Sequence, residues 1–242
     1  MIRESPAGVV TVRDMAPHDA AWSAGLHRRA LATGLFPALG RRFLRRYHRA
    51  FIESPFAFAF VASVDGVAAG FVLGMLDPGA HKRETVRRHG VGLALVGLLA
   101  MVSRPSLLVR FGRTRLRPYA RGLWRHLRPG SPGAQADRSS GSADLCHIAV
   151  EDSMRGKGLG ALLVDSFVTA VADAGSTVVQ TTTVDRAGFY ESLGWTLTGA
   201  GRTFDGVTQH QLVRRLDHAY EGDDAAIHHG VSTSTPPTAN PR

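Results

Sequence analysis

The chain has 242 residues, 44% hydrophobic and 20% charged, which suits one core-bearing domain with an insertion or a tail. Its formal net charge is +9, and the excess lies between positions 81 and 128, where twelve lysines and arginines face one acid, Glu84; a field so local belongs to one surface. The single cysteine, Cys146, excludes an internal disulfide framework and suits a reducing, cytoplasmic setting; no secretory leader is expected, and the longest near-apolar run, 90–102, falls short of the roughly 20 residues that span a bilayer.

Residues 9–13 alternate as a short strand. Pro17 suits the first turn of a helix to about Leu31, which Thr33-Gly34 ends. A second helix is expected from about Pro37 to Glu53, with Leu39, Phe43, Tyr47 and Phe51 spaced four apart as an apolar stripe. Arg41, Arg42, Arg45, Arg46 and Arg49 fall mostly off that stripe and read as a solvated face rather than an anion site. Residues 57–64 and 67–75 read as strands joined by a tight primed turn at Asp65-Gly66, the second ending near Asp77-Pro78-Gly79.

Residues 80–142 form a helical insertion. The stretch 90–102 is apolar and of helical length, 107–127 mixes large apolar residues with arginines as basic amphipathic helices do, and 130–142 is a Gly-, Ser- and Pro-rich flexible loop. A strand at 144–150 then leads through a short turn into a helix over about 159–174, ended by Gly175. A β-branched strand at 177–183, a short helix near 187–193 and strands near 195–198 and 209–216 follow. The domain is thus 1–216, and 217–242 reads as a disordered tail. Alternating elements imply an α/β fold: a mixed central sheet with helices on both faces, and the helical insertion between the third and fourth strands.

The chemistry is concentrated after that insertion. Strand 144–150 hands over to a helix through Arg155-Gly156-Lys157-Gly158-Leu159-Gly160. Free N–H groups and the helix dipole favour an anion there, glycine lets a phosphate approach the backbone, and Arg155 and Lys157 add charge. The spacing G-x-G-x-G fits neither the dinucleotide fingerprint nor the ATP P-loop. A pyrophosphate is the expected ligand.

Downstream lies Phe189-Tyr190-Glu191-Ser192-Leu193-Gly194-Trp195. With the 155–160 segment it resembles the Gcn5-related N-acetyltransferase (GNAT) superfamily, whose Q/R-x-x-G-x-G/A and FYxxLGF segments these residues match, with Trp195 for the final Phe. The resemblance implies acetyl-CoA as co-substrate, no metal, and acetyl transfer to a small-molecule primary amine. Protein lysine or N-terminal acetylation, or a non-catalytic acetyl-CoA sensor, are the alternatives. It further implies that strands 144–150 and 177–183 splay apart and take the pantetheine arm between them. Ile148, Ala149 and Val150 would then bind the cofactor together with Arg155, Gly156, Lys157, Gly158, Leu159 and Gly160. Asp144 is the candidate general base and Tyr190 the proton donor to the leaving thiolate. Thr183 stands where many members carry Asn.

Cys146 shares the face of Asp144 and reads as a small buried filler, while His147 points oppositely in a regular strand, unless a bulge intervenes. For the insertion, a solvated face and a lid over the acceptor rank level; contact with an anionic membrane surface comes next and nucleic acid last. A homodimer is left open.

Overall fold

The computed structural model describes residues 2–5, 8–104, 141–203 and 206–216. Among the described residues eight strands form one sheet in the order β1-β2-β3-β4-β5-β6-β8-β7. These are β1 (Ile2–Ser5), β2 (Gly8–Asp14), β3 (Ala57–Val64), β4 (Val67–Met75), β5 (Ser142–Val150), β6 (Val178–Thr183), β7 (Thr196–Arg202) and β8 (Thr208–Arg215). Every neighbouring pair is antiparallel except β5–β6, which is parallel. The helices are α1 (Ala20–Ala30), α2 (Leu35–Leu39), α3 (Arg41–Ile52), α4 (Pro78–Val102), α5 (Leu159–Asp173) and α6 (Ala187–Glu191).

Period-two alternation sorts the strand side chains into two cores. Val10, Val12, Val72, Ala143 and Leu145 pack with Leu159, Leu163, Phe167 and Val171 of α5. On the other face Val61, Phe71, Leu73, Met75 and Ala149 meet Leu26 of α1 and Phe51 of α3. The β3–β4 turn has Asp65 at φ 48° and Gly66 at φ 80°, the primed geometry its sequence predicts.

Four expectations change. An unforeseen edge strand, β1, pairs with β2 and raises the number of every later strand by one, while the insertion lies where it is expected, between the strands now numbered β4 and β5. The helix expected from Pro37 divides at Gly40, whose φ of 91° ends α2 and starts α3. Asp77-Pro78 is a helix start as well as a strand end: Asp77 Oδ1 accepts from the Ala80 N–H at 2.8 Å, and Pro78 opens α4. The apolar stretch 90–102 is thereby the second half of a 25-residue helix. That helix is long and apolar enough, by length and composition, to cross a membrane; Leu93, Val96, Ala100 and Met101 instead pack on Leu39 and Phe43 of α2 and α3. Finally, the expected loop 130–142 ends in β5, which begins at Ser142. The basic helices expected over 107–127 and the tail 217–242 lie outside the described residues.

Glycines in β4 bring α5 onto the sheet. A Cβ on Gly74 would lie 2.2 Å from the Phe167 ring and 2.9 Å from the Asp144 carbonyl oxygen. Gly74→Ala should therefore destabilise the domain by about 1–3 kcal/mol, as overpacked cores do, and Phe167→Leu in the same chain should recover part of that loss. Urea denaturation of the single and double variants measures both.

Candidate active site

Strand β5 pairs with β4 along nearly its whole length but with β6 only over Ser142–Val178, Ala143–Val179, Asp144–Gln180 and Leu145–Thr181. Beyond Leu145 and Thr181 the parallel strands part, and Thr182 and Thr183 continue only with β8. The Thr181 hydroxyl closes the fork by donating to the Leu145 carbonyl at 2.8 Å.

The backbone groups facing the gap follow from the ladder. Glu151 N–H donates to the Ala69 carbonyl at 2.8 Å, so Glu151, and by alternation Ala149 and His147, bond toward β4. Ile148 and Val150 then direct their N–H and C=O groups into the opening. Ala149 turns its side chain into the α1/α3 core instead.

The turn after β5 is open. Gly156 and Gly158 have φ of 75° and 81°, and a Cβ at either would meet nothing within 4 Å. Gly158 caps α5 without a side-chain hydrogen bond, leaving the first N–H groups of that helix without intrahelical partners. Arg155 is held by Asp152 at 2.8 Å, and Lys157 is exposed beside Met154. Leu159 is buried in the core, and a Cβ on Gly160 would lie 3.3 Å from the Phe189 ring, so the last glycine serves helix packing. Arg29 of α1 bonds Glu151 at 2.8 Å and ties the opposite layer to the start of the turn.

Tyr190 is buried beside Trp195, their ring centroids 5.4 Å apart. Burial pushes its phenol up to about 12, against the opposing effect of a hydrogen bond with Thr181. Since Thr181 is the last residue of β6 that pairs with β5, this hydroxyl belongs to the fork.

The floor on the α1/α3 side depends on a bulge. Leu73 pairs with His147 and Gly74 with Leu145, so Cys146 is an extra residue in β5. The bulge puts Cys146 and His147 on one side of the sheet, correcting the regular-strand expectation that they oppose one another. His147 Nε2 lies 3.1 Å from the Tyr47 hydroxyl, and its ring centroid is 4.6 Å from that of His27. His27 Nδ1 reaches His48 Nε2 at 2.9 Å, and His48 Nδ1 reaches Ser23 Oγ at 2.8 Å. Burial lowers all three imidazoles, His27 to about 4 and His48 and His147 well below the ordinary range, so they are neutral at physiological pH. Burial also raises the Cys146 thiol and the Tyr47 phenol, with Asp144 adding to both.

Asp144 lies among these groups. Burial raises its carboxyl to about 6, with Lys82 of α4 opposing. Its side chain accepts no hydrogen bond among the described residues. Ser23, His27, His48 and Tyr47 escaped the sequence reading. The sequence alone puts Tyr47 in an apolar stripe, and its one available signal is a histidine at a core-facing helical position in both α1 and α3. No cluster of metal-ligating side chains occurs among the described residues.

Gly158→Glu tests the turn, because it adds bulk and negative charge where the open main chain would receive a phosphate. Acetyl-CoA binding measured by calorimetry should fall at least about a hundredfold, the cost of losing two charge-assisted hydrogen bonds, while the far-UV spectrum stays unchanged.

Residues 133–216 match the family model of the acetyltransferase (GNAT) domain. No curated protein sequence is matched. Among solved structures, Ard1 from Thermoplasma volcanium superposes with TM-score 0.52 at 15% identity, covering 86% of this chain and 99% of that one. The ribosomal-protein-S18-alanine N-acetyltransferase from Escherichia coli gives 0.51 at 14%, covering 88% and 97%. The acetyltransferase yncA from Salmonella typhimurium, solved with acetyl-CoA, gives 0.50 at 15%, covering 90% and 99%. These structures share its sheet, so the chain has the GNAT fold, and its motif-bearing residues 133–216 match the acetyltransferase (GNAT) domain model.

Proposed function

We propose that the protein transfers an acetyl group from acetyl-CoA to the primary amine of a small molecule. The parting of β5 from β6 beyond Leu145 and Thr181 carries this reading, because it leaves a slot lined by the unpaired main chain of Ile148 and Val150. An amide-bearing arm laid there gains the hydrogen bonds of an added strand. The open turn at Gly156 and Gly158 receives the diphosphate, with Arg155 and Lys157 neutralising charge. The yncA structure, with acetyl-CoA bound on the same fold, supports the choice of acyl donor.

The two faces of the sheet at the closed end of the slot each supply one proton function. Asp144, at about 6, is ionised at neutral pH yet basic enough to take the proton, directly or through water, as the amine nitrogen bonds to the acyl carbon. A β5 N–H next to the Cys146 bulge donates to the acyl oxygen as charge builds there, a contribution of about 3 kcal/mol in a dry site. Tyr190 donates to sulfur as the carbon–sulfur bond breaks. With its phenol near 12 and a free thiol near 8.5, it first stabilises the thiolate by hydrogen bonding, and proton transfer completes as the thiol leaves. The products are the N-acetyl amide and the free thiol of coenzyme A.

The half-buried floor of Asp144, Cys146 and His147, with Tyr47 of α3 against it, favours a compact amine over a polypeptide end. Thiol release with small amines and with peptides separates the two: turnover confined to peptides would replace the small-molecule reading, and acetyl-CoA binding without turnover would leave a sensor.

Asp144 also sets a pH dependence with a defined sign. kcat/KM should lose activity below about pH 6 as the carboxylate protonates. Asp144→Asn should lower turnover about a hundredfold and abolish that acid limb. Because the folded state raises this carboxyl, it binds the proton more tightly than the unfolded chain. Stability contributed by Asp144 is therefore greatest below the ordinary 3.8, declines as pH rises toward about 6, and stays reduced above it. The same variant should then be more stable than wild type at pH 7.5, on the order of 2 kcal/mol, by urea denaturation. Tyr190→Phe should lower kcat about a hundredfold with acetyl-CoA affinity nearly unchanged, and wild-type turnover would remove Tyr190 from the mechanism.

A further inference from the structure

We propose that the groove between α3 and α4 is a binding site for a clustered phosphate anion, distinct from the turn at 155–160. The groove has a volume of about 980 Å³ and is walled by Arg41, Arg42, Arg45, Arg46 and Arg49 of α3 and by Arg88 of α4. Among the described residues Glu53 is its one carboxylate. The sequence alone made the α3 arginines a solvated face; α4 turns that face into the wall of a concave site.

The charges are not matched from within. Arg49 binds Glu53 at 2.9 Å, and His89 approaches the other carboxylate oxygen at 3.5 Å, so that acid is already shared. Arg88 is engaged by Glu84, and Arg41 donates to the Ala21 carbonyl at 3.1 Å. Arg42, Arg45 and Arg46 have no ion pair or hydrogen bond among the described residues. Positions 42, 45, 46 and 49 share one helix face, where like charges three and four apart repel. Their repulsion lowers stability unless an anion fills the groove.

The arrangement also has shape. Arg46 lies against α4 at Gly92, where a Cβ would come within 2.7 Å of its guanidinium nitrogen. The glycine thus gives one arginine room to lie along the groove. Planar guanidinium forks match the paired oxygens of phosphates, and several converging forks select a ligand with more than one phosphate charge. Two sources carry that chemistry: a soluble polyphosphorylated metabolite, or the headgroup of an anionic lipid. The lipid source has a basis in α4 itself. Val91, Leu95, Leu98, Leu99 and Val102 are exposed, while Leu93, Val96, Ala100 and Met101 pack on α2 and α3, so an apolar stripe runs beside the groove on the far side of the same helix.

The test uses inorganic tripolyphosphate, titrated calorimetrically at physiological ionic strength into the full chain carrying Gly158→Glu, which disables the other phosphate turn. Saturable binding is expected. Adding Arg42→Gln, Arg45→Gln and Arg46→Gln should weaken it roughly a hundredfold or more, since hydrogen bonds between charged groups are each worth about tenfold. Lysine at the same three positions keeps the charge without the forks and should bind with intermediate affinity. All three side chains are exposed, so the fold, checked by thermal melting, should survive. Co-sedimentation of the wild type with phosphatidylglycerol but not phosphatidylcholine vesicles, lost in the glutamine variant, would assign the lipid source. Tripolyphosphate binding without vesicle binding would assign the soluble one. Absence of saturable tripolyphosphate binding, or equal binding by the glutamine variant, would overturn the proposal.

Discussion

The functional reading depends on two parallel strands that stay together for four residue pairs and then part. Each keeps its other neighbour: β5 remains on β4, and β6 remains on β8. The gap therefore costs only the hydrogen bonds across it, and the Thr181 hydroxyl satisfies the Leu145 carbonyl at its base. The bulge at Cys146 falls where the parting begins. An extra residue bends a strand and raises its local twist, which gives a physical reason for β5 to leave β6 at that point.

The bulge also organises the polar floor. By placing Cys146 and His147 on one side, it lets His147 meet Tyr47 while Asp144 faces the same layer. The three imidazoles are neutral, the thiol and the phenol are protonated, and Asp144 is the ionised group on this part of β5 at neutral pH. Burying a carboxylate without a hydrogen-bond donor lowers stability, a cost that the proposed role of Asp144 as base would account for.

The local parts of this structure were legible in the sequence. Asp65-Gly66 named its turn because the required positive φ is a property of those two residues. Gly156 and Gly158 named an open strand-to-helix turn for the same reason, and Phe189 through Trp195 marked the short helix that packs on it. What was missed is non-local. Nothing in residues 145–147 alone fixes a bulge, which is a mismatch of register with β4. Tyr47 meets His147 from a hundred residues away. The α3 arginines became a groove only when α4 crossed them, and the start of α4 was hidden because Asp77-Pro78 signals a turn and a helix cap equally well.

Amide hydrogen exchange across β5 tests the central claim most directly. Ile148 and Val150 face the gap, whereas His147 and Ala149 bond to β4, so without ligand the first pair should exchange much faster than the second. Acetyl-CoA should slow exchange at Ile148 and Val150 and leave the other two unchanged. Strong protection of Ile148 and Val150 in the free protein, or no change on adding acetyl-CoA, would show that the strands do not form the slot on which the transferase reading rests.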